Sequence, residues 1–275
     1  MIGYVPEFEG GSDLFDNIAT QAAERRAEFN AQGISNMVWA YAKVDKPHAL
    51  LFEAMEDQVV ASGVSHPKLF EKVANCIVRL DSLYGFKPQE LSNTMWAYAT
   101  AQVPHPKLFQ KVAKAAIQCK GEFNSQNVAN LLWAYATMGI GDKKLFSSFV
   151  LTATKLLGSY ENQGHANIAW AYAVANVDAP ALFNDHFINK CIEKEGGFEK
   201  KALRQLHQWH LWQTKEKSVN TGLPKELANR CYNKFISKDP KVSKLQENVV
   251  ARLSSIGLEP KEEVLMDSGY RIDAM

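Results

Sequence analysis

The sequence predicts an all-α fold, a right-handed α-solenoid of helix pairs with a period of about 37 residues, followed by a short α+β fragment at the C-terminus. The first observation is a heptamer, Asn-x-x-Trp-Ala-Tyr-Ala, that starts at residues 36, 93, 130 and 167. The second is its spacing, because Trp96, Trp133 and Trp170 stand 37 residues apart. The third is that the flanking residues recur in the same register.

That register covers four further positions in each copy. An aromatic residue precedes the tryptophan by ten positions, a glutamine by seven and an asparagine by three, and a phenylalanine follows it by thirteen. In chain order these sets are Phe29, Phe86, Phe123 and Tyr160; Gln32, Gln89, Gln126 and Gln163; Asn36, Asn93, Asn130 and Asn167; and Phe52, Phe109, Phe146 and Phe183. Five fixed positions in four copies indicate one structural unit repeated along the chain.

Two units depart from the period. Trp39 and Trp96 are 57 residues apart, and the intervening segment carries a second "HPKLF" at residues 66–70, so we expect an added helix there. A degenerate fifth unit follows Phe198, with Trp209 and Trp212 in place of the heptamer, and a further helix is predicted near 224–237. The predicted organisation is an N-terminal extension over 1–28, a helical-repeat domain over 29–237 and a C-terminal fragment over 243–275.

Each unit is predicted to contain two antiparallel helices joined by a short turn. The first helix begins after a capping position and ends about four residues beyond the tryptophan. These capping positions are Asn30, Lys87, Asn124 and Glu161. The second helix begins after Pro47, Pro106, Asp142 or Pro180. Because a helix pair is too small to close its own core, each pair must pack against its neighbours.

The first helix has two distinct faces. At about 100° per residue, the glutamine, asparagine, tryptophan and the residue four beyond it share one stripe. Leu91, Met95 and Tyr98 fall on the opposite side and are predicted to be buried.

The polar stripe has two interpretations. It is a surface for nucleobases, since amides read base edges and aromatic rings stack on bases, or its amides hydrogen-bond the backbone of the next unit. Residues that are identical in every unit cannot distinguish different bases, so we favour a structural role for these residues. They are Gln32, Asn36, Trp39, Gln89, Asn93, Trp96, Gln126, Asn130, Trp133, Gln163, Asn167 and Trp170.

Positions that vary between units are better candidates for RNA recognition. The alternative for each of them is a solvent-exposed position with no role in binding. They lie six before the tryptophan (Gly33, Glu90, Asn127, Gly164) and four beyond it (Lys43, Thr100, Thr137, Val174). Lysines in the middle of the chain are candidates for phosphate contacts, namely Lys107, Lys111, Lys114, Lys143 and Lys144.

Composition excludes several classes of protein. With 46% hydrophobic and 22% charged residues the chain is predicted to form a globular core, and it has no apolar run long enough for a membrane span. The net charge is +1, yet residues 87–145 carry seven Lys and Arg against three acidic residues, which permits local contact with a polyanion. The four cysteines form no pair with metal-ligand spacing, and no targeting segment is visible near the N-terminus.

Motifs for catalysis are absent from the sequence. It contains no glycine-rich phosphate loop, no Gly-x-Ser-x-Gly and no His-Glu-x-x-His. His207 and His210 have the spacing of a metal pair, but no third ligand is near them in sequence. We therefore expect no enzymatic activity, cofactor, metal or small-molecule substrate.

The repeat resembles those of organellar RNA-binding proteins. The Gln-x3-Asn-x2-Trp-Ala-Tyr-Ala helix followed by Pro-x-Leu-Phe is similar to octotricopeptide repeats, to the leucine-rich region of FAST-kinase-like mitochondrial proteins, and to a repeat subunit of the mitochondrial RNA-editing substrate-binding complex. The similarity covers roughly residues 29–237.

The C-terminal fragment resembles the opening of a RAP domain, a module that often follows such repeats. The matching residues are Ser243, Gln246, Val249, Leu253, Gly257, Glu263, Tyr270, Ile272 and Asp273. Read without the family, the fragment is a helix over about 243–256 and two strands joined at Asp267-Ser-Gly269. The domain looks truncated, and the Glu-x-Lys that would complete a nuclease-like site after Asp273 is not in this sequence, so no activity is carried over from that family.

Together the resemblances imply a non-enzymatic protein that binds single-stranded RNA in a mitochondrion or chloroplast, in RNA processing, mRNA stability or ribosome maturation. The alternative is a protein-binding scaffold within a ribonucleoprotein complex, which the near-neutral charge favours.

Overall fold

The computed structural model describes residues 21, 74–75, 77–78, 82–83, 86–217, 222–237 and 244–274. This part of the chain is mostly helical and ends in a two-stranded antiparallel sheet, which confirms the predicted helical class and the C-terminal α+β fragment at that level. The first predicted unit, with Gln32, Asn36, Trp39 and Lys43, lies outside the described residues. Of the segment in which an added helix is predicted, residues 74–75 and 77–78 are described and are helical.

In the part of the chain that the structure describes, four first helices alternate with four second helices. The first helices are α1 (Pro88–Thr100), α3 (Ser125–Thr137), α5 (Asn162–Ala175) and α7 (Lys200–Leu211). The second helices are α2 (Pro106–Gln118), α4 (Lys143–Lys155), α6 (Asp185–Glu193) and α8 (Lys225–Ile236). Short 3-10 turns at Lys120–Glu122, Leu157–Ser159 and Glu195–Gly197 lead from α2, α4 and α6 into the next first helix.

Local sequence explains where these helices begin. The Asn124 side chain accepts a hydrogen bond from the backbone N–H of Asn127 at 2.8 Å, and Asp142 accepts one from Leu145 at 3.0 Å. Both are N-cap contacts that satisfy a donor at the helix start. Pro88 and Pro106 occupy the first turn, where the missing N–H costs nothing.

The start of α6 differs from the prediction. We expected this helix to begin after Pro180, but it begins at Asp185. The reason is Asn184, whose side-chain oxygen accepts hydrogen bonds from the backbone N–H groups of His186 and Phe187 at 2.9 and 3.3 Å. A good N-cap residue thus sets the boundary, and the turn that Pro180 opens is completed before it.

The first helices pack on one another in sequence. Helix α1 contacts α3, α3 contacts α5, α5 contacts α7, and α7 contacts α8, while α2 packs against α4 on the other side of the shared core. The predicted apolar face is confirmed, since Leu91, Met95 and Tyr98 are all buried. The alanines on either side of the heptamer tyrosine are small, which admits these close neighbours.

The C-terminal part continues from α7. That helix passes into a π-helical turn at Trp212–Glu216, and after α8 the chain forms α9 (Lys244–Ser255), β1 (Glu262–Leu265) and β2 (Arg271–Ala274). The strands pair antiparallel, with Val264 opposite Ile272. Gly269 has φ of 84°, the left-handed conformation that the predicted Asp-Ser-Gly turn requires. No helix among the described residues is long and apolar enough to cross a membrane.

Candidate nucleic-acid interface

The polar stripe forms a row across three packed helices, which we call the amide–tryptophan face. It comprises Gln89, Asn93, Trp96, Gln126, Asn130, Trp133, Gln163, Asn167 and Trp170, on α1, α3 and α5. All three tryptophans are half-buried, so part of each indole remains accessible. Helices α3 and α5 contain no Lys, Arg, Asp or Glu. The face is therefore aromatic and polar, and nearly free of charge.

The amides bind one another where α5 meets α7. Gln163 Nε2 donates to Asn167 Oδ1 at 2.9 Å and to Gln205 Oε1 at 2.6 Å, and Gln205 Nε2 donates to Asn167 Oδ1 at 3.1 Å. These hydrogen bonds join side chain to side chain. The predicted partner, the backbone of the next unit, is thus wrong for this junction, because the amide of Gln205 lies within reach and supplies both donor and acceptor.

The heptamer tyrosines make the side chain-to-backbone contacts instead. Tyr135 Oη donates to the carbonyl oxygen of Phe109 at 2.6 Å, and Tyr172 Oη donates to that of Phe146 at 2.9 Å. The same rings meet edge to face, with centroids 5.0 and 5.1 Å apart. Each tyrosine thus anchors a first helix to the second helix of the preceding unit. Sequence analysis placed both residue types in the register but missed the hydrogen bond between them.

A lysine from the fifth unit reaches the face. Lys201 of α7 places its Nζ 5.1 Å from the centre of the Trp133 ring on α3, within the range of a cation–π interaction. This contact spans α5, which lies between the two helices in the packing order. Nothing in the repeat pattern predicted it, since α7 lacks the heptamer and Lys201 occupies the register position of the glutamines.

The lysines predicted as phosphate contacts lie elsewhere. Lys107, Lys111 and Lys114 are on α2, and Lys143 and Lys144 are on α4. The structure therefore places all five on second helices, whereas the amide–tryptophan face belongs to first helices. Lys111 Nζ donates to the backbone carbonyl of Val78 at 3.1 Å, so this lysine also ties neighbouring segments together.

The predicted specificity positions differ in where they lie and how far they are exposed. Glu90 accepts a hydrogen bond from the backbone N–H of Lys87 at 3.1 Å, and Asn127 is buried beside its N-cap, so both belong to helix starts. Thr137 is half-buried. By contrast Thr100 and Val174, four residues beyond their tryptophans, are exposed next to the face.

The C-terminal hairpin docks on the fifth unit through its turn. His207 Nε2 lies 2.8 Å from the carbonyl oxygen of Ser268, and Gln208 Nε2 donates to Tyr270 Oη at 2.8 Å. The Tyr270 and Phe235 rings meet edge to face at 5.0 Å. Gly269 is buried, and a Cβ there would lie 3.1–3.2 Å from Tyr232, Phe235 and Ile236, a tight contact that adds to the strain of a positive φ. The C-terminal fragment is thus joined to the helical repeats by specific contacts.

Three histidines of the helices are expected to make the fold sensitive to acid. Burial lowers the pKa of His165, His207 and His210 below the usual value near 6.5. Among the described residues, the hydrogen-bond partner of the His207 ring is the Ser268 carbonyl, so Nε2 carries the proton. The other ring nitrogen, Nδ1, is buried with no hydrogen-bond partner in this part of the chain. A second proton would place a charge between Tyr232 and Phe235. His207 bonds the Ser268 carbonyl and His210 Nδ1 accepts a hydrogen bond from the backbone N–H of Leu223 at 3.1 Å, so both contribute to the fold. No group of residues suited to holding a metal occurs in the described ranges.

We expect the free energy of unfolding to fall as the pH drops from about 7.5 to about 5.5. The unfolded chain binds protons at these histidines before the folded chain does, so their contribution is present above the unfolded pKa and is lost below it. Urea unfolding at the two pH values measures the change. His207→Gln keeps a donor for Ser268 without titrating and is expected to reduce the loss; equal stability of the wild-type chain at both pH values would contradict the assignment.

Comparison with protein-family models yields no match to this sequence, and comparison with curated proteins yields none either.

Proposed function

We propose that this chain is a non-enzymatic RNA-binding α-solenoid that holds single-stranded RNA along the amide–tryptophan face. The observation that carries the proposal is the row of half-buried indoles at Trp96, Trp133 and Trp170, each at the same position of successive, mutually packed helices. The resemblance to octotricopeptide-type repeats and to the opening of a RAP domain supports it. The same resemblance favours a place in mitochondrial or chloroplast RNA processing, mRNA stability or ribosome maturation.

The physical case for RNA rests on stacking. An accessible aromatic surface contributes roughly 1–3 kcal/mol per stacked base, and it accepts any base because every base has a π-face. The neighbouring amides offer donors and acceptors to base edges. Invariant residues suit a sequence-tolerant platform, and the exposed varying positions Thr100 and Val174 are the ones we assign to any preference between bases.

The number of cationic side chains near the face determines how much contacts with RNA phosphates are expected to contribute to affinity. Few cations lie near the face in the described part of the chain; they include Lys201 over Trp133 and Lys215 in the π-helical turn that follows α7. We therefore expect affinity to fall with salt along a shallow log–log slope of roughly −1 to −3, since each neutralised phosphate of a single strand contributes about −0.7. Recruitment of the lysines on α2 and α4 would make the slope steeper.

The solenoid itself is part of the proposal. The ordered contacts of α1 with α3, α3 with α5 and α5 with α7, together with the repeated Tyr–Phe anchor, support an array in which neighbouring units are related by one screw operation. The array ends at α8, and the C-terminal fragment follows it. On this basis we propose the same two regions as the sequence predicts, a repeat domain over 29–237 and a C-terminal fragment over 243–275.

A second candidate is a protein-binding scaffold within a ribonucleoprotein complex. The observation that favours it is the near absence of charge on α3 and α5 around accessible indoles, because tryptophan is enriched at the centres of protein interfaces where charges are depleted.

Fluorescence anisotropy with labelled single-stranded RNA separates the two candidates. The RNA proposal predicts binding at about 50 mM salt that weakens towards about 200 mM. Trp133→Ala should weaken it roughly 5- to 150-fold, the equivalent of one lost stack. Lys144→Ala, an exposed change on α4, is the control and should change affinity by less than about threefold. No binding at low salt would reject RNA in favour of the scaffold.

A further inference from the structure

The fifth unit lacks the tryptophan of the other units. Counted from the N-cap residues Lys87, Asn124 and Glu161, the heptamer tryptophan is always the ninth residue, and the ninth residue after the N-cap Glu199 is Gln208. The sixth residue is asparagine in those three units and Gln205 in the fifth. The hydrogen bonds of Gln205 with Gln163 and Asn167 confirm that this register is the structural one.

An aromatic ring is nevertheless present at that place. Tyr270, from the turn of the C-terminal hairpin, accepts a hydrogen bond from Gln208 Nε2 at 2.8 Å. Its ring packs edge to face against that of Phe235, and the residue is 46% exposed. A residue 62 positions away in the chain thus supplies the ring that the fifth first helix does not carry.

A cavity of about 370 Å³ opens beside this ring. It is lined by Val174 of α5, Gln208 and Leu211 of α7, Trp212 and Lys215 of the π-helical turn, and Tyr270. The volume falls in the range of small-molecule sites. Val174 is the exposed residue four beyond Trp170, so the cavity lies about one helical turn from the last tryptophan of the amide–tryptophan face.

We propose that Tyr270 completes the aromatic row and that this cavity holds the base of one terminal nucleotide of the bound RNA. The proposal rests on the proposed function and adds a site to it. Apolar walls and two aromatic side chains suit a base, and the Gln208 amide offers both a donor and an acceptor to its edge. Lys215 and Glu216 both line the cavity, so it has no net charge from this pair and favours the uncharged base over a phosphate.

The π-helical turn shapes the cavity. Trp212 Nε1 donates to Asn176 Oδ1 at 3.1 Å, and Asn176 itself adopts the left-handed conformation, with φ of 51°, at the end of α5. Lys217 pairs with Asp178 at 3.2 Å and lies 5.3 Å from the centre of the Trp212 ring. These contacts fix Trp212 as one wall.

Photo-crosslinking on the full chain tests the proposal directly. A short oligouridine with 5-iodouridine at one end is bound and irradiated, and the modified residue is mapped by mass spectrometry. Two oligonucleotides are compared, one labelled at the 5′ end and one at the 3′ end. We expect one of them, the one whose labelled end enters the cavity, to crosslink at Tyr270 or Trp212. Crosslinks confined to Trp96, Trp133 and Trp170 for both label positions would overturn the proposal while leaving the proposed function intact.

Two substitutions give an independent readout. Tyr270→Leu keeps an apolar contact with Phe235 but removes the stacking surface, and should weaken RNA binding roughly 5- to 150-fold. Tyr270→Phe keeps the ring, loses only the acceptor for Gln208, and should bind within about twofold of wild type. Equal binding by Tyr270→Leu and wild type means that the cavity takes something else, such as a protein side chain, and overturns the proposal. Absence of any RNA binding by wild type rejects the proposed function as well.

Discussion

Tyr135→Ala is expected to lower the free energy of unfolding by about 3–5 kcal/mol. The side chain is fully buried, its ring meets Phe109 edge to face, and its hydroxyl donates to the Phe109 carbonyl. Alanine leaves a cavity at the point where α3 is anchored to α2. Because neighbouring units share this interior, the loss should be felt by two units at once.

Tyr135→Phe separates the hydrogen bond from the packing. It keeps the edge-to-face contact and removes only the hydroxyl, so we expect a loss of about 1–3 kcal/mol. Leu151→Ala, at a side chain that is 70% exposed, is the control and should change stability by less than about 0.5 kcal/mol. Urea unfolding measures all three. A loss below about 1 kcal/mol for Tyr135→Ala would contradict the anchoring role.

Trp209→Ala is expected to cost about 3–5 kcal/mol as well. Trp209 is among the largest fully buried side chains, and its ring lies 5.2 Å from Phe183 and 5.1 Å from Phe187. The Phe183–Trp209 pair has the same spacing along the chain as Phe109–Tyr135 and Phe146–Tyr172. Trp209 thus packs against the second helix of the preceding unit as the heptamer tyrosines do, although by the count from the N-cap it stands one position before theirs, because Phe183 is one residue farther from the N-cap Glu199 than in the other units.

The indole nitrogen supplies a sharper version of this prediction. Trp209 Nε1 is buried with no hydrogen-bond partner among the described residues, unlike the tyrosine hydroxyls. Trp209→Phe loses ring volume but also removes an unpaired buried donor, which offsets part of the cost. We expect it to lose less than about half of what Trp209→Ala loses, again by urea unfolding. Equal losses for the two variants would show that the indole nitrogen is paired in solution.

The predicted features that depend on local sequence agree with the structure. Prolines and short polar side chains mark helix starts, so α1, α2, α3 and α4 begin at or next to the expected residues. The burial of Leu91, Met95 and Tyr98 follows from helical periodicity alone. The Asp-Ser-Gly turn was predictable because a hairpin there requires a residue that tolerates positive φ.

Contacts between distant residues could not be predicted in the same way. The hydrogen bonds from Tyr135 and Tyr172 link residues 26 positions apart, and the hairpin reaches back about 60 residues to His207 and Gln208. Such pairs depend on how units stack, which a single helical period does not specify. The Tyr–Phe pair did leave a signal, because both members recur at a fixed offset in every copy.

The fifth unit shows how a repeat pattern can mislead. Sequence reading placed Trp209 and Trp212 at the heptamer because they are tryptophans, yet neither occupies the tryptophan position of the face. Trp209 is internal, Trp212 belongs to the π-helical turn, and Gln208 takes the register position. Residue type was the wrong guide here, whereas the count from the N-cap and the amide contacts of Gln205 gave the correct alignment.

Hydroxyl-radical footprinting tests most directly whether RNA lies on the amide–tryptophan face. Oxidation of each side chain is measured by mass spectrometry with and without single-stranded RNA, and the buried Trp209 serves as an internal unreactive reference. The account predicts that RNA protects Trp96, Trp133 and Trp170 and leaves the exposed Leu151 on α4 unchanged. Protection confined to α2 and α4, with the three tryptophans as reactive as in the free protein, would contradict it.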